Sequence, residues 1–156
     1  MCLIQGFLNA QTFDDISGQF GSINSISTDT WGTGVSFYDF NQDGWDDISF
    51  ATENGSQKVF INNHGQFSLA PFSIINQGET KHLLWVDYDN DADLDLYVTT
   101  KNGQNFLWEN DGQLGFTDVT ISSGLSSNPG PNYGASFGDY DLDGDLDLYQ
   151  CRYLIA

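Results

Sequence analysis

Apolar residues in this chain come in short bursts separated by polar stretches. Val35 to Tyr38, Ile48 to Thr52, Val59 to Ile61, Leu84 to Val86, Leu96 to Thr100, Phe106 to Trp108 and Leu148 to Cys151 are each a few residues long and rich in β-branched and aromatic side chains. No window carries a sustained apolar period of 3.6, so the bursts are predicted to be strands rather than helices. The intervening segments Gly21 to Thr30, Gln77 to Thr80 and Ser122 to Asn132 are rich in Gly, Ser, Thr, Asn and Pro and are expected to be loops.

The strands belong to a repeat. Phe37-Tyr38-Asp39-Phe40-Asn41-Gln42-Asp43-Gly44-Trp45-Asp46-Asp47-Ile48 aligns with Trp85-Val86-Asp87-Tyr88-Asp89-Asn90-Asp91-Ala92-Asp93-Leu94-Asp95-Leu96. Both align with Phe137-Gly138-Asp139-Tyr140-Asp141-Leu142-Asp143-Gly144-Asp145-Leu146-Asp147-Leu148. The leading aspartates stand at 39, 87 and 139, a period near 50. Downstream, Val59 to Phe67 and Phe106 to Phe116 each give a strand, an Asn-x-Gly turn and a returning aromatic. Phe13-Asp14-Asp15-Ile16-Ser17 echoes Phe116-Thr117-Asp118-Val119-Thr120.

A period near 50 with about four short strands per unit predicts an all-β chain of β-propeller blades, each a four-stranded antiparallel sheet. The units are expected at about 31–80, 81–130 and 131–156, the last incomplete, within a repeat region spanning 11–156. A single blade cannot bury both faces, and three do not close a ring of the usual size. The remaining blades are expected from a longer chain or from self-association.

Composition sharpens this picture. The 156 residues carry 22 acids against four Lys and Arg, for a formal net charge of −18. That balance excludes nucleic acid as a partner and disfavours an anionic membrane surface. No apolar run is long enough to span a bilayer. Two cysteines, Cys2 and Cys151, are too few for a disulfide framework. Met1 to Ala10 is a short apolar run ending Leu8-Asn9-Ala10, the pattern of a secretion-signal remnant without its basic leader; an ordinary first strand is the alternative.

The acids are not dispersed. Fourteen of the 22 fall in the windows 39–47, 87–95 and 139–147, in the pattern Asp-x-[Asp/Asn]-x-Asp-[Gly/Ala]-x-x-Asp. Side-chain oxygens at positions 1, 3 and 5 converge as the chain curls, Gly at position 6 permits the turn, and position 7 can offer a backbone carbonyl. Position 9 closes the shell. The candidate metal ligands are therefore Asp39, Asn41, Asp43, Trp45 through its carbonyl, and Asp47; Asp87, Asp89, Asp91, Asp93 and Asp95; and Asp139, Asp141, Asp143, Asp145 and Asp147. Hard oxygen donors in this number suit Ca2+ at up to three sites better than Mg2+, and soft metals would want His or Cys.

An EF-hand would need a bidentate Glu at position 12, where this chain has Phe50, Val98 and Gln150, and helical flanks that it lacks. The three loops are not equivalent. Ala92 replaces the turn glycine of the second, Asn41 removes a charge from the first, and the third keeps Gly144 with all its acids. The third is expected to bind most tightly where its blade is complete.

The loops and their flanks resemble the FG-GAP or VCBS-type repeat, the calcium-loop blade of integrin α-subunit propellers and many secreted bacterial proteins. Gly134 to Tyr149 is close to that consensus, and Gly115-Phe116-Thr117-Asp118-Val119-Thr120 followed by Gly124-Leu125 is similar to the linker of the cartilage-acidic-protein-like branch. The resemblance covers about residues 31–153 and departs from the pattern at Asn41 and Ala92. It implies a seven-bladed propeller with structural calcium in hairpin loops on one face, and a role in adhesion, recognition or scaffolding.

No catalytic grouping stands out. His64 is expected in an exposed hairpin turn and His82 in a structural role beside a strand. The aspartates repeat in three equivalent copies, whereas a glycosidase pair is unique. Trp45 is the best candidate for a partner or sugar contact, the other tryptophans being expected in the core. The expectation is a non-enzymatic, secreted, calcium-binding module whose partner at the cell surface is a protein or a carbohydrate. The alternative is an accessory propeller region of a larger secreted enzyme.

Overall fold

The computed structural model describes residues 13–24, 33–125 and 130–153. The candidate secretion-signal remnant, residues 1–10, lies outside the described residues. Within them the chain forms a 3-10 segment at Ser17–Asn24 followed by strands only. β1 (Val35–Tyr38), β2 (Asp47–Phe50), β3 (Lys58–Asn63) and β4 (Gln66–Leu69) make one sheet in that order. β5 (Thr80–Val86), β6 (Asp95–Thr100), β7 (Phe106–Asn110) and β8 (Phe116–Asp118) make the second, and β9 (Asn132–Gly138) pairs with β10 (Asp147–Arg152).

Every pairing is antiparallel between sequence neighbours, so each sheet is a meander. The register is equivalent in all three units. Tyr38 pairs with Asp47, Val86 with Asp95 and Gly138 with Asp147. The last acid of each loop is thus the first residue of the second strand. Contacts join β1 to β5 and β5 to β9, so the first strand of each sheet lies beside that of the next. This is the arrangement of successive propeller blades: two four-stranded blades and the first hairpin of a third, in an open array.

The alternation of side chains across each strand decides what packs where. In the first blade Ala51, Val59 and Ile61 face the second, joining Leu83, Trp85, Leu96, Val98 and Phe106 in one core. Phe40 stacks on Trp85 with centroids 4.5 Å apart and planes 15° from parallel. The Trp85 indole N–H crosses the seam to donate to Ser49 Oγ at 3.0 Å, which satisfies its one polar atom. Gly34 permits the close approach of the two blades, since a Cβ there would lie 2.5 Å from the Lys81 carbonyl oxygen.

Strand β6 is buried along its whole length because blades cover both of its faces. Leu96 and Val98 point into the core shared with the first blade. Tyr97 meets Phe137 edge-on at 5.4 Å, and Thr99 Oγ1 donates to the Tyr133 carbonyl at 3.0 Å. A polar chain continues this second seam. Asn105 Nδ2 donates to the Tyr97 hydroxyl at 2.8 Å, and Asn132 Nδ2 donates to Asn105 Oδ1 at 3.0 Å.

One element differs from expectation. Gly21 to Thr30 was expected to be a loop throughout, yet its first residues complete the 3-10 segment, which bends at Gly21 with φ 61°. Hydrophobic burial is the cause. Phe20 packs on Phe50, Phe60 and Phe67 at 5.1–5.6 Å, covering the face of the first blade that points away from the second. Gln19 anchors it by donating to the Gly65 carbonyl and accepting the Phe67 N–H.

Candidate metal centre

Each acidic loop joins the first two strands of its blade, and its own side chains shape it. Both oxygens of the position 1 carboxylate are occupied by backbone. Asp39, Asp87 and Asp139 accept the N–H of position 5 through Oδ1 at 2.9–3.1 Å. Through Oδ2 they accept the N–H of position 6 at 2.8–3.1 Å. Position 5 then accepts the N–H of position 7, from Asp43 to Trp45, Asp91 to Asp93 and Asp143 to Asp145. Short Asp side chains make these Asx-type turns, where the longer Glu would not reach as readily. That accounts for the scarcity of Glu.

The backbone enters the left-handed region twice per loop. Gly44, Ala92 and Gly144 at position 6 have φ of 91°, 75° and 97°. The turn expected there is present, and Ala92 adopts it despite its Cβ. Position 4 does the same at Gln42, Asn90 and Leu142, with φ of 58–63°. Only Asn90 among these has a side chain suited to that region, so composition gave no signal for position 4.

Position 9 ties the loop to the blade. Asp47 Oδ1 accepts the Asn62 N–H at 2.8 Å, and Asp95 Oδ1 accepts the Asn110 N–H at 2.9 Å. Asp95 Oδ2 also accepts the Tyr88 N–H at 3.2 Å, and Asp147 Oδ2 the Tyr140 N–H at 3.1 Å. Asn62 and Asn110 return a side-chain bond to the carbonyls of Asp46 and Leu94. These two asparagines position the loops, and sequence reasoning passed over them as turn residues. The signal was available, since each lies 15 residues after its position 9 aspartate.

The outcome is convergence of like charge. One carboxylate oxygen from each of Asp87, Asp89 and Asp95 lies within 4.8 Å of the others, and the same holds for Asp139, Asp141 and Asp147. Positions 1, 3 and 9 therefore meet. In the first loop Asn41 holds position 3, leaving Asp39 and Asp47 as the carboxylates at the equivalent places. Asp43, Asp91 and Asp143 at position 5 stand outside these triads, although each has a second oxygen beyond the one bonded to position 7. Trp45 packs its ring on His64 at 4.8 Å, and the Asp145 side chain is exposed. Asp93 Oδ1 is buried without a hydrogen-bond partner among the described residues.

Burial makes this arrangement costly for a bare carboxylate. Asp47 and Asp95 are each 1% exposed. Desolvation pushes Asp47 up to about 6, opposed by the Asn62 N–H and reinforced by the charges of Asp43 and Asp39. Asp95 is likewise pushed up to about 6 by burial, against the N–H groups of Asn110 and Tyr88. Burial and neighbouring aspartates also raise Asp89 and Asp93. Asp47 Oδ2 is buried with no hydrogen-bond partner among the described residues. A cation at the convergence point offsets all of these penalties, so the residues present fit a bound metal ion of the oxygen-seeking kind. Neighbouring loops also touch, because Gln42 Nε2 donates to the Ala92 carbonyl across the first seam.

The histidines stand apart from these loops' carboxylate triads. His64, in the left-handed region with φ 55°, bonds Asn63 Oδ1 through Nδ1. His82 Nδ1 accepts the Ala135 N–H across the second seam at 3.3 Å.

Blades of this order with a repeated acidic hairpin define a β-propeller-like repeat module. The family model described as FG-GAP-like repeat matches residues 39–98 and again 87–149. The chain belongs to the FG-GAP-like repeat family. It is also 32% identical over 59 residues to cartilage acidic protein 1 of Xenopus tropicalis. That match takes in 38% of this chain and 9% of the other protein, so the chain corresponds to a small part of its relative.

Two outcomes test this description. Ala92→Gly removes the left-handed Cβ strain and stabilises the protein by about 1 kcal/mol, seen as a rise in Tm of roughly 2–4 °C; an unchanged or lower Tm contradicts it. The raised pKa values of Asp47 and Asp95 have a defined sign. The folded state holds these protons more tightly than the unfolded chain, so their contribution is complete below about 4 and is lost as pH rises through about 6. In metal-free buffer the double variant Asp47→Asn, Asp95→Asn melts above the parent at neutral pH, and the gap closes as pH falls towards 4. Taking the difference between the two proteins cancels the opposite pH dependence of half-buried His82, whose pKa partial burial lowers. A variant that melts below the parent at neutral pH without metal would sink this reading.

Proposed function

We propose that the chain is a calcium-stabilised, non-enzymatic β-propeller module of an extracellular protein, serving adhesion, recognition or scaffolding. The observation that carries it is the meeting of three carboxylates at one point in the second loop and again in the third; beside this, Asp47 Oδ2 of the first loop and Asp93 Oδ1 of the second are buried with no hydrogen-bond partner among the described residues. Asp87, Asp89 and Asp95 would hold one ion, Asp139, Asp141 and Asp147 another, and Asp39, Asn41 and Asp47 a third. Asp43, Asp91 and Asp143 would add their free oxygens, and Trp45, Asp93 and Asp145 would add backbone carbonyls. The ion supplies positive charge that lets the loops stay folded and the blades stay in register.

Calcium is favoured because the donors are all hard oxygens on short, adaptable side chains, whereas Mg2+ demands a strict octahedron and holds its waters. Extracellular modules bind calcium with Kd of roughly 10⁻⁴–10⁻³ M, which suits a compartment with millimolar calcium. A ligand at ten times its Kd adds about 1.4 kcal/mol per site, a large share of the stability of a domain held by about 5–15 kcal/mol. The extracellular placement also draws on the relationship to cartilage acidic protein 1. Among the described residues no helix is long and apolar enough to cross a membrane.

The three units of about 31–80, 81–130 and 131–156 act as consecutive blades of a larger ring, of seven by the resemblance. The rest comes from a longer chain or from a second copy. The partner is a protein or a carbohydrate at the cell surface, and the acidic face excludes nucleic acid. An accessory role within a larger secreted enzyme is the second reading, and no described cluster favours it over the first.

Calorimetric titration tests the metal sites. Calcium is expected to bind at up to three sites, most tightly at the third loop, and magnesium far more weakly. Asp141→Ala is expected to remove the tightest event and Asp89→Ala a weaker one. No calcium heat, or equal affinity for magnesium, would contradict the assignment; a tighter second loop would overturn the ranking.

A further inference from the structure

A second concavity lies away from the metal loops. It is a cleft of about 730 Å3 between the second blade and the connector that leads into it. Its rim comes from residues 75–78, which precede β5, and 102–104, which follow β6. The acidic loop leaves the end of β5 and enters the start of β6, so in this antiparallel meander the cleft stands at the opposite end of the blade.

The lining has a distinct chemistry. Phe106 and Trp108 are alternate residues of β7 and so share one face of the sheet. Their rings lie 6.4 Å apart and 22° from parallel; Phe106 is buried in the core between the first two blades, and the half-buried Trp108 ring supplies the open apolar floor of the cleft. The Trp108 indole N–H is buried and has no acceptor among the described residues. Around this floor stand the amide side chains of Gln77, Asn102 and Gln104, and Asp118 is the one charged residue of the lining. Asp118 is fixed in place because its Oδ1 accepts both the N–H and the hydroxyl of Thr120, at 3.0 and 2.6 Å.

We propose that this cleft binds a neutral oligosaccharide, with the Trp108 ring, backed by the buried Phe106, under the C–H face of a sugar ring and the three amides around its hydroxyls. A carboxamide both donates and accepts, as a hydroxyl does, so amides can pair with sugar hydroxyls in either sense. A sugar oxygen supplies the acceptor that the Trp108 N–H lacks, and a buried donor without one calls for such a partner. The lining offers no cation, and Asp118 together with a chain charge of −18 turns away acidic glycans. A peptide added as a strand would need a sheet edge to pair with; here the floor is a sheet face. The assignment gives chemical content to the recognition role proposed above, on which it rests, and uses no residue of the acidic loops.

The test titrates the calcium-saturated protein with neutral hexasaccharides of glucose, mannose, galactose and N-acetylglucosamine, and with an acidic hexuronate for comparison. Binding is read by calorimetry and by tryptophan fluorescence. One or more neutral sugars are expected to bind and shift the emission, the hexuronate not to bind, and Trp108→Ala to weaken binding by at least about tenfold. Asn102→Ala, at an exposed loop position that leaves the fold intact, and Gln104→Ala on the same rim are each expected to weaken it several-fold. The proposal is overturned if no neutral sugar binds at about 10 mM, if binding survives all three substitutions, or if only the hexuronate binds and chelation abolishes it. Calcium binding with no sugar binding would remove this cleft assignment and leave the metal reading standing.

Discussion

The carboxylate at the start of the second strand of each blade is the constraint on which this structure depends. Asp47 and Asp95 are almost fully buried, and each accepts the backbone N–H of a residue in the third strand. One side chain thereby joins loop, second strand and third strand. It also brings negative charge into a dry place beside other carboxylates, where charge is costly unless opposed. The rest of the loop follows from this conflict. Short aspartates fold the backbone around a point, two left-handed residues close the turn, and carboxylates of positions 1, 3 and 9 come together.

The propeller arrangement carries the same logic from blade to blade. Each four-stranded sheet buries apolar residues on both faces, so it needs neighbours. The second blade has them on both sides, and its central strand is buried from end to end. On the outer side of the first blade Phe20 supplies a cover from outside the sheet, holding three phenylalanines. The loops follow the blades: Gln42 of the first reaches the Ala92 carbonyl of the second, so these two acidic loops are linked across the seam. The opposite end of the second blade carries a cleft lined largely by amide side chains, away from the acidic loop.

Much of this was legible in the sequence because two periods coincide there. Alternation within the bursts gave the strands, and Val35–Tyr38 appears with the bounds expected of it. The spacing of the aspartates gave the repeat, and the left-handed Ala92 followed from its alignment with Gly44 and Gly144. Other features were hidden for physical reasons. Positions 1, 3 and 9 meet in the triads, and spacing alone, which treats positions 1, 3, 5 and 9 alike, does not single them out. Asn62 and Asn110 looked like turn residues because their bonds to the loop are formed across strands. Phe20 could not be placed by local pattern, since its cover of the first blade is a tertiary contact that overrides a loop-like composition. The amide-lined cleft is made by segments about 30 residues apart, which no local window brings together.

The central claim is that a cation resolves the repulsion stored in the loops. A thermal melt of the protein in millimolar calcium, in magnesium and in excess chelator tests it most directly. The account predicts a large rise in Tm that is specific to calcium and reversed by chelator. Cooperative melts at the same temperature in all three conditions would contradict it, and would show that the loops stand as solvated turns without a metal.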